Sequence, residues 1–141
     1  MRLFAKKVRV LIIGDDGPIL GKLRGRVELF WPEDVPMKLR ALFCGWADEA
    51  IDGIKDFRPD VLLLNHVFQR DQQTGVDVAR WVDAHYRTPI RVAVHADCSE
   101  AELRPLYRDI ECVEHFICGE SVPEFIRACT QMKCSTHSMS R

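Results

Sequence analysis

Five short apolar strands alternating with about five helical stretches predict an α/β protein. The expected architecture is a single five-stranded parallel sheet with helices on both faces, a three-layer sandwich. Two observations carry it. Val61-Leu62-Leu63-Leu64 is an uninterrupted aliphatic run closed by Asn65 and His66. Such a run reads as a strand buried on both faces, the kind found in the middle of a parallel sheet. Between one strand-like run and the next lie residues with apolar positions at helical intervals, and parallel strands need crossovers of that kind.

Taken in order, Val8–Gly14 is rich in β-branched residues and forms the first strand. It leads into Gly14-Asp15-Asp16-Gly17-Pro18, a loop with two adjacent carboxylates. Pro18 is suited to open a helix, and Ile19, Leu20, Leu23, Val27 and Phe30 recur at helical spacing. Gly21 and Gly25 each weaken that helix by about 1 kcal/mol against alanine, so a strand over Arg26–Trp31 competes with it. The breaker cluster Pro32–Pro36 precedes a second strand expected over Leu39–Gly45. A second helix is expected over Asp48–Phe57, on Ala50, Ile51, Ile54 and Phe57.

The third strand ends at Asn65 and His66, and a polar loop to Gly75 follows. Val76, Val78, Ala79, Trp81, Val82 and Tyr86 line one side of a third helix. Ile90–Val94 alternates into the fourth strand, which ends at His95-Ala96-Asp97. Ser99 with Glu102 has the spacing of a capping box for a fourth helix reaching about Tyr107. Val113–Cys118 is the fifth strand; Ser121 and Glu124 would cap a fifth helix running to about Met132. The expected domain covers residues 1–133, with 134–141 as a disordered C-terminal tail.

At 141 residues the chain suits one domain with its own core. Hydrophobic residues at 47 % and charged residues at 29 % are ordinary for a globular protein. A formal net charge of −1 gives no argument for nucleic acid or an anionic membrane as partner. No apolar run approaches the roughly 20 residues that span a bilayer, and a cytoplasmic location is expected. The six cysteines contain no C-x-x-C pair and read as structural thiols. Cys129, Cys134 and His137 would make a zinc site only with a fourth ligand, and none is evident.

Polar groups gather at the strand ends. Asp15 and Asp16 end the first strand, Asn65 and His66 the third, His95 and Asp97 the fourth. In one parallel sheet all carboxyl ends share an edge, where ligands of open α/β sheets bind. A carboxylate pair there suits Mg²⁺, although Asp-Gly is also ordinary turn chemistry. Lys22, Arg24 and Arg26 read as a solvated helix face, and Trp31, Trp46 and Trp81 as core or rim packing.

This series resembles the receiver domain of bacterial response regulators, over roughly Val8 to Lys133. The matching features are the acidic pair, the Pro59–Leu64 strand, the Thr74-Gly75 turn, and Phe116-Ile117-Cys118-Gly119-Glu120-Ser121 leading into Val122-Pro123-Glu124-Phe125. The resemblance implies a flavodoxin-like, CheY-like sheet in the order 2-1-3-4-5. It also implies Mg²⁺ at Asp15 and Asp16, and a binding site around Asp15, Asp16, Asn65 and Gly119. A receiver is phosphorylated on an aspartate at the end of strand three, where this chain has Asn65. The family's Ser/Thr at the end of strand four is His95, its lysine at the end of strand five is Gly119, and the following proline is Glu120. The implied protein is a pseudo-receiver without an aspartyl-phosphate cycle. Its expected partner is a protein or a second copy, through the strand 4–helix 4–strand 5–helix 5 face.

A receiver-like family thought to process cyclic phosphates is also similar. It keeps the acidic pair, an Asp-His-Asp end to strand three, a Thr-Gly turn and a Val-His-Ser end to strand four. Here these stand as Asn65-His66-Val67, Thr74-Gly75 and Val94-His95-Ala96, with Trp81 also matching. That resemblance implies a phosphodiesterase using His66 and His95 with Asp15 and Asp16. Histidine can activate water or protonate a leaving oxygen near neutral pH.

Overall fold

The computed structural model describes residues 6–118 and 122–139, with side chains through residue 130. The elements in chain order are β1 (Val8–Gly14), α1 (Gly17–Phe30), β2 (Met37–Phe43), α2 (Ala47–Phe57), β3 (Val61–Asn65), α3 (Gly75–His85), β4 (Arg91–His95), α4 (Glu100–Leu103), β5 (Val113–Ile117) and α5 (Val122–Met139). The sheet is parallel throughout, in the order β2-β1-β3-β4-β5. The expected fold class and strand order are both observed.

Strand side chains alternate between faces, and the two faces have separate cores. Val10, Ile12, Val61, Leu63, Ala93 and Ile117 pack against Leu20, Leu23 and Val27 of α1 and Val122, Phe125 and Ile126 of α5. Leu11, Ile13, Leu62, Leu64, Val92, Val94 and Phe116 pack against α2, α3, Leu103 and Tyr107. Every residue of β3 is buried, as expected of a central strand. Each fully buried leucine there contributes about 1.5–3 kcal/mol.

Four local expectations need correction. Arg26–Phe30 is helical, not a strand: α1 continues to Phe30, with Trp31 as its C-cap. Asp16 caps its first turn, and Leu20, Leu23 and Val27 bury one stripe, which outweighs the two glycines. The second strand lies at Met37–Phe43 rather than Leu39–Gly45, because β2 pairs along the whole of β1, Val8 with Met37 through Gly14 with Phe43. The fourth helix is α-helical only to Leu103 and tightens into a 3-10 turn over Arg104–Tyr107, where Pro105 has no N–H to donate. The Ser99–Glu102 capping box is present. Gly119 and the Ser121 cap lie outside the described residues, as do the side chains of Cys134 and His137. α5 runs to Met139, beyond the expected Met132.

Candidate functional site

The carboxyl edge of the sheet places a row of residues side by side. Asn65 pairs in register with His95, and His95 with Ile117. Ile13 pairs with Leu64, which sets Gly14 beside Asn65. By strand alternation all four face the α1/α5 side, continuing the rows of Val10 and Ile12, Val61 and Leu63, and Ala93. Two polar side chains thus end an otherwise apolar face, under the first turns of α1. A cleft of about 440 Å³ opens here, lined among others by Asp15, Asp16, Asn65, His66, His95 and Asp97.

Asp16 Oδ1 accepts from the Ile19 N–H at 3.0 Å and caps α1. Asp15 Oδ2 accepts from the Gln69 N–H at 2.6 Å, tying the β1–α1 loop to the β3–α3 loop. The acidic pair therefore organises two loops, each acid through one oxygen.

Asn65 is 5 % exposed. Its Nδ2 donates to the Val67 carbonyl at 2.5 Å, and that partner fixes the amide orientation, because a flipped amide would oppose two acceptors. Its Oδ1 is buried and finds no partner among the described residues. His95 is 7 % exposed, and its Nε2 lies 2.8 Å from the Ile13 carbonyl. The nitrogen facing a carbonyl carries the proton, so in the neutral ring Nδ1 is an acceptor. Burial holds the His95 pKa below the ordinary imidazole value, against opposing pulls from the Ile13 bond and the Asp15 charge.

His66, one residue beyond Asn65, makes its contact with Tyr107. Its Nδ1 lies 2.7 Å from the Tyr107 hydroxyl, and the two rings meet edge to face at 5.6 Å. Burial lowers the His66 pKa as well, and burial pushes the Tyr107 phenol up. The Gly75 N–H donates to the His66 carbonyl at 2.8 Å. A Cβ on Gly75 would stand 2.6 Å from both the Asn65 carbonyl and the Tyr107 hydroxyl. The Thr74-Gly75 turn thus has a physical reason: Thr74 caps α3 with Asp77, and only glycine fits where α3 begins.

The cleft brings together Asp15, Asp16, Asn65, His66, His95 and Asp97, all from the three strand ends singled out in the sequence. It also contains Lys22 and Arg26, which read from sequence as a solvated face. Of that basic run Arg24 pairs with Glu28 on the helix surface. Asp71 gave no signal of its own: it accepts from the Ala47 and Gln73 N–H groups and caps α2, whose N-cap Trp46 makes no side-chain bond. Those backbone bonds hold its carboxyl below the usual range.

Mg²⁺ takes oxygen ligands in near-octahedral geometry. Asp15 and Asp16 are oxygen donors of the right kind, whereas Asn65 Oδ1 is closed to solvent. Among the described residues, however, no three His, Cys, Asp or Glu side chains gather as a metal site. The donor set fits a weakly held, largely hydrated ion rather than an enclosed one.

No protein-family model and no curated protein matches the chain. Solved structures do match, among them response regulators and signal receiver domains. RcsB from Salmonella typhimurium superposes with a TM-score of 0.70 at 15 % identity, over 92 % of this chain and 61 % of that one. NtrX from Brucella abortus gives 0.67 at 16 %, over 96 % and 28 %. The signal receiver domain of a modulated diguanylate cyclase from Desulfovibrio desulfuricans gives 0.69 at 15 %, over 96 % and 100 %. The chain spans well under two thirds of NtrX and just under two thirds of RcsB, but the whole of the isolated receiver domain. The fold is that of a response-regulator receiver domain. Among the described residues no helix is long and apolar enough to cross a membrane.

Proposed function

We propose that the chain is a receiver-like signalling domain that works by binding rather than by an aspartyl-phosphate cycle. One observation carries this: the end of the central strand holds a buried amide, Asn65. An amide is a poor nucleophile and brings no charge to a metal, so the phosphoryl acceptor of the fold is missing. Weak Mg²⁺ binding at Asp15 and Asp16, with water completing the shell, belongs to the same proposal. The partner surface is the β4–α4–β5–α5 side, for a protein partner or a second copy. Its support is a groove of about 350 Å³ lined by Arg104, Tyr107, Arg108, Glu114 and Phe116, beside Leu106, which is 47 % exposed. The test is incubation with acetyl phosphate or phosphoramidate and Mg²⁺, followed by intact-mass measurement. No phosphoryl adduct is expected; an adduct on Asn65 or a neighbouring acid overturns the proposal.

One observation keeps a second function in view: His66 and His95 line one cleft with Asp15 and Asp16. That constellation suits opening of a cyclic phosphodiester. Each ring already has a structural partner, which places binding first. Turnover of a 2′,3′-cyclic nucleotide, abolished by His95→Ala, would instead make the chain an enzyme.

A further inference from the structure

Two of the six cysteines meet at the ends of β4 and β5. His95 pairs in register with Ile117, and the Ala96 N–H donates to the Ile117 carbonyl at 3.3 Å. Ala96 and Cys118 therefore stand side by side as the next pair, about 5 Å apart across neighbouring strands. Cys98 lies two residues beyond Ala96, at most about 7 Å further along the chain, in the short connection that leads to the Ser99 cap of α4. Ala96, Cys98 and Cys118 all pack against the one cluster that holds Leu103, Tyr107 and Phe116.

Both are free thiols and both are partly exposed. Burial, and after it the charge of Cys98, raises the Cys118 pKa, which places the two sulfurs in one neighbourhood within reach of solvent. The other thiols with described side chains stand elsewhere. Cys44 is buried. Cys112 precedes β5, at the far end of that strand, with its Sγ 3.8 Å from the Ala79 carbonyl, and Cys129 packs against the cluster on the other face of the sheet. A disulfide asks for Cα atoms about 4.4–6.8 Å apart. Cys98 can meet that span because it belongs to neither a strand nor a helix.

We propose that Cys98 and Cys118 form a reversible disulfide when the protein meets hydrogen peroxide. The Cys98 thiolate attacks one peroxide oxygen and the O–O bond breaks. Hydroxide leaves, takes up the proton that the thiol lost, and Cys98 becomes a sulfenic acid. The Cys118 sulfur then attacks the Cys98 sulfur, the S–O bond breaks, and a second water leaves with the Cys118 proton. The two thiols give up two electrons and the peroxide takes them; a dithiol reductant reverses the bond. In a reducing compartment such a bond is transient, as redox-sensing disulfides are. It fastens the connection into α4 to the end of β5, on the side proposed above for a partner, yet it needs neither partner nor ligand to form.

The full chain, reduced and then treated with hydrogen peroxide, tests this by intact-mass measurement and by peptide mapping under non-reducing conditions. A monomer lighter by two hydrogens is expected, with the Cys98 and Cys118 peptides joined, and dithiothreitol should restore the original mass. Cys98→Ser and Cys118→Ser should each abolish the bond, while Cys112→Ser should leave it in place. Cys118→Ser should also retain a sulfenic acid on Cys98 that a cyclic 1,3-diketone traps. Both positions are partly exposed, and matching circular dichroism spectra for parent and variants separate a lost thiol from a lost fold. A parent chain that keeps its two hydrogens, that becomes linked only between molecules, or that forms the same bond in either serine variant would overturn the proposal.

Discussion

Asn65 and His66 are sequence neighbours on opposite sides of one sheet edge, and the two sides are finished differently. On the α2/α3/α4 side, His66 meets the Tyr107 hydroxyl, Gly75 lets α3 start against the strand end, and the space is filled. On the α1/α5 side, Gly14 contributes no side chain, Asn65 keeps an unpartnered oxygen, and a cleft remains. One strand end places its polar group against a hydroxyl partner, and the other leaves a buried oxygen without one.

The filled side should break most sharply at Gly75. In Gly75→Ala the new Cβ would lie 2.6 Å from the Asn65 carbonyl and 2.6 Å from the Tyr107 hydroxyl. Neither can yield freely, since one is backbone and the other is held by His66. A loss of about 2–3 kcal/mol is expected in urea denaturation. Adding Tyr107→Phe relieves only one of the two clashes, so the double variant should recover only part of the loss. Near-wild-type stability for Gly75→Ala would mean the α3 start is not tightly packed.

Tyr107→Phe alone is milder. It deletes the bond to His66 Nδ1 at constant ring packing against His66 and Phe116. A cost of about 1 kcal/mol is expected, read by the same denaturation curves. Stability equal to the parent would show that water replaces the hydroxyl.

Acidification compares the two histidines directly. Burial lowers the pKa of both His66 and His95 from the ordinary 6.5. As pH falls below that value the unfolded chain takes up protons before the folded one does. The stability held by the neutral rings is therefore complete above about pH 6.5 and declines as pH drops through the folded values. Urea midpoints measured from about pH 7.5 to about pH 5.5 should fall, and His95→Leu should flatten the curve. A flat curve for the parent would contradict neutral, buried imidazoles.

The legible parts of the molecule are those whose signal is local. Val61–Leu64 announces a central strand because both its faces are buried, and the strand ends name Asn65, His66 and His95 as neighbours of the acidic pair. β2 slipped by two residues because an edge strand is only half-buried and its aliphatic run is weaker. The Arg26–Phe30 segment was ambiguous because Gly21 and Gly25 dilute the helical pattern. Both turn out to face open space, where a glycine costs propensity without disturbing packing. Tyr107 lies 41 residues from His66, and no local pattern links them. Lys22 is exposed, as the solvated-face reading expects; that it and Arg26 also line the cleft follows only from where α1 lies over the strand ends.

The smallest expected effect on folding falls on the open side. Gly14 ends β1 beside Asn65 without a positive φ, and an added Cβ would meet Leu20 Cδ1 at 3.4 Å and His95 Cε1 at 3.7 Å, ordinary van der Waals contacts. Gly14→Ala should be neutral or stabilise by up to about 0.5–1 kcal/mol, because alanine loses less backbone entropy on folding. The urea midpoint should therefore hold or rise. If stability falls instead, the space above Gly14 is already needed by Leu20 and His95, and the open side is as tightly built as the filled one.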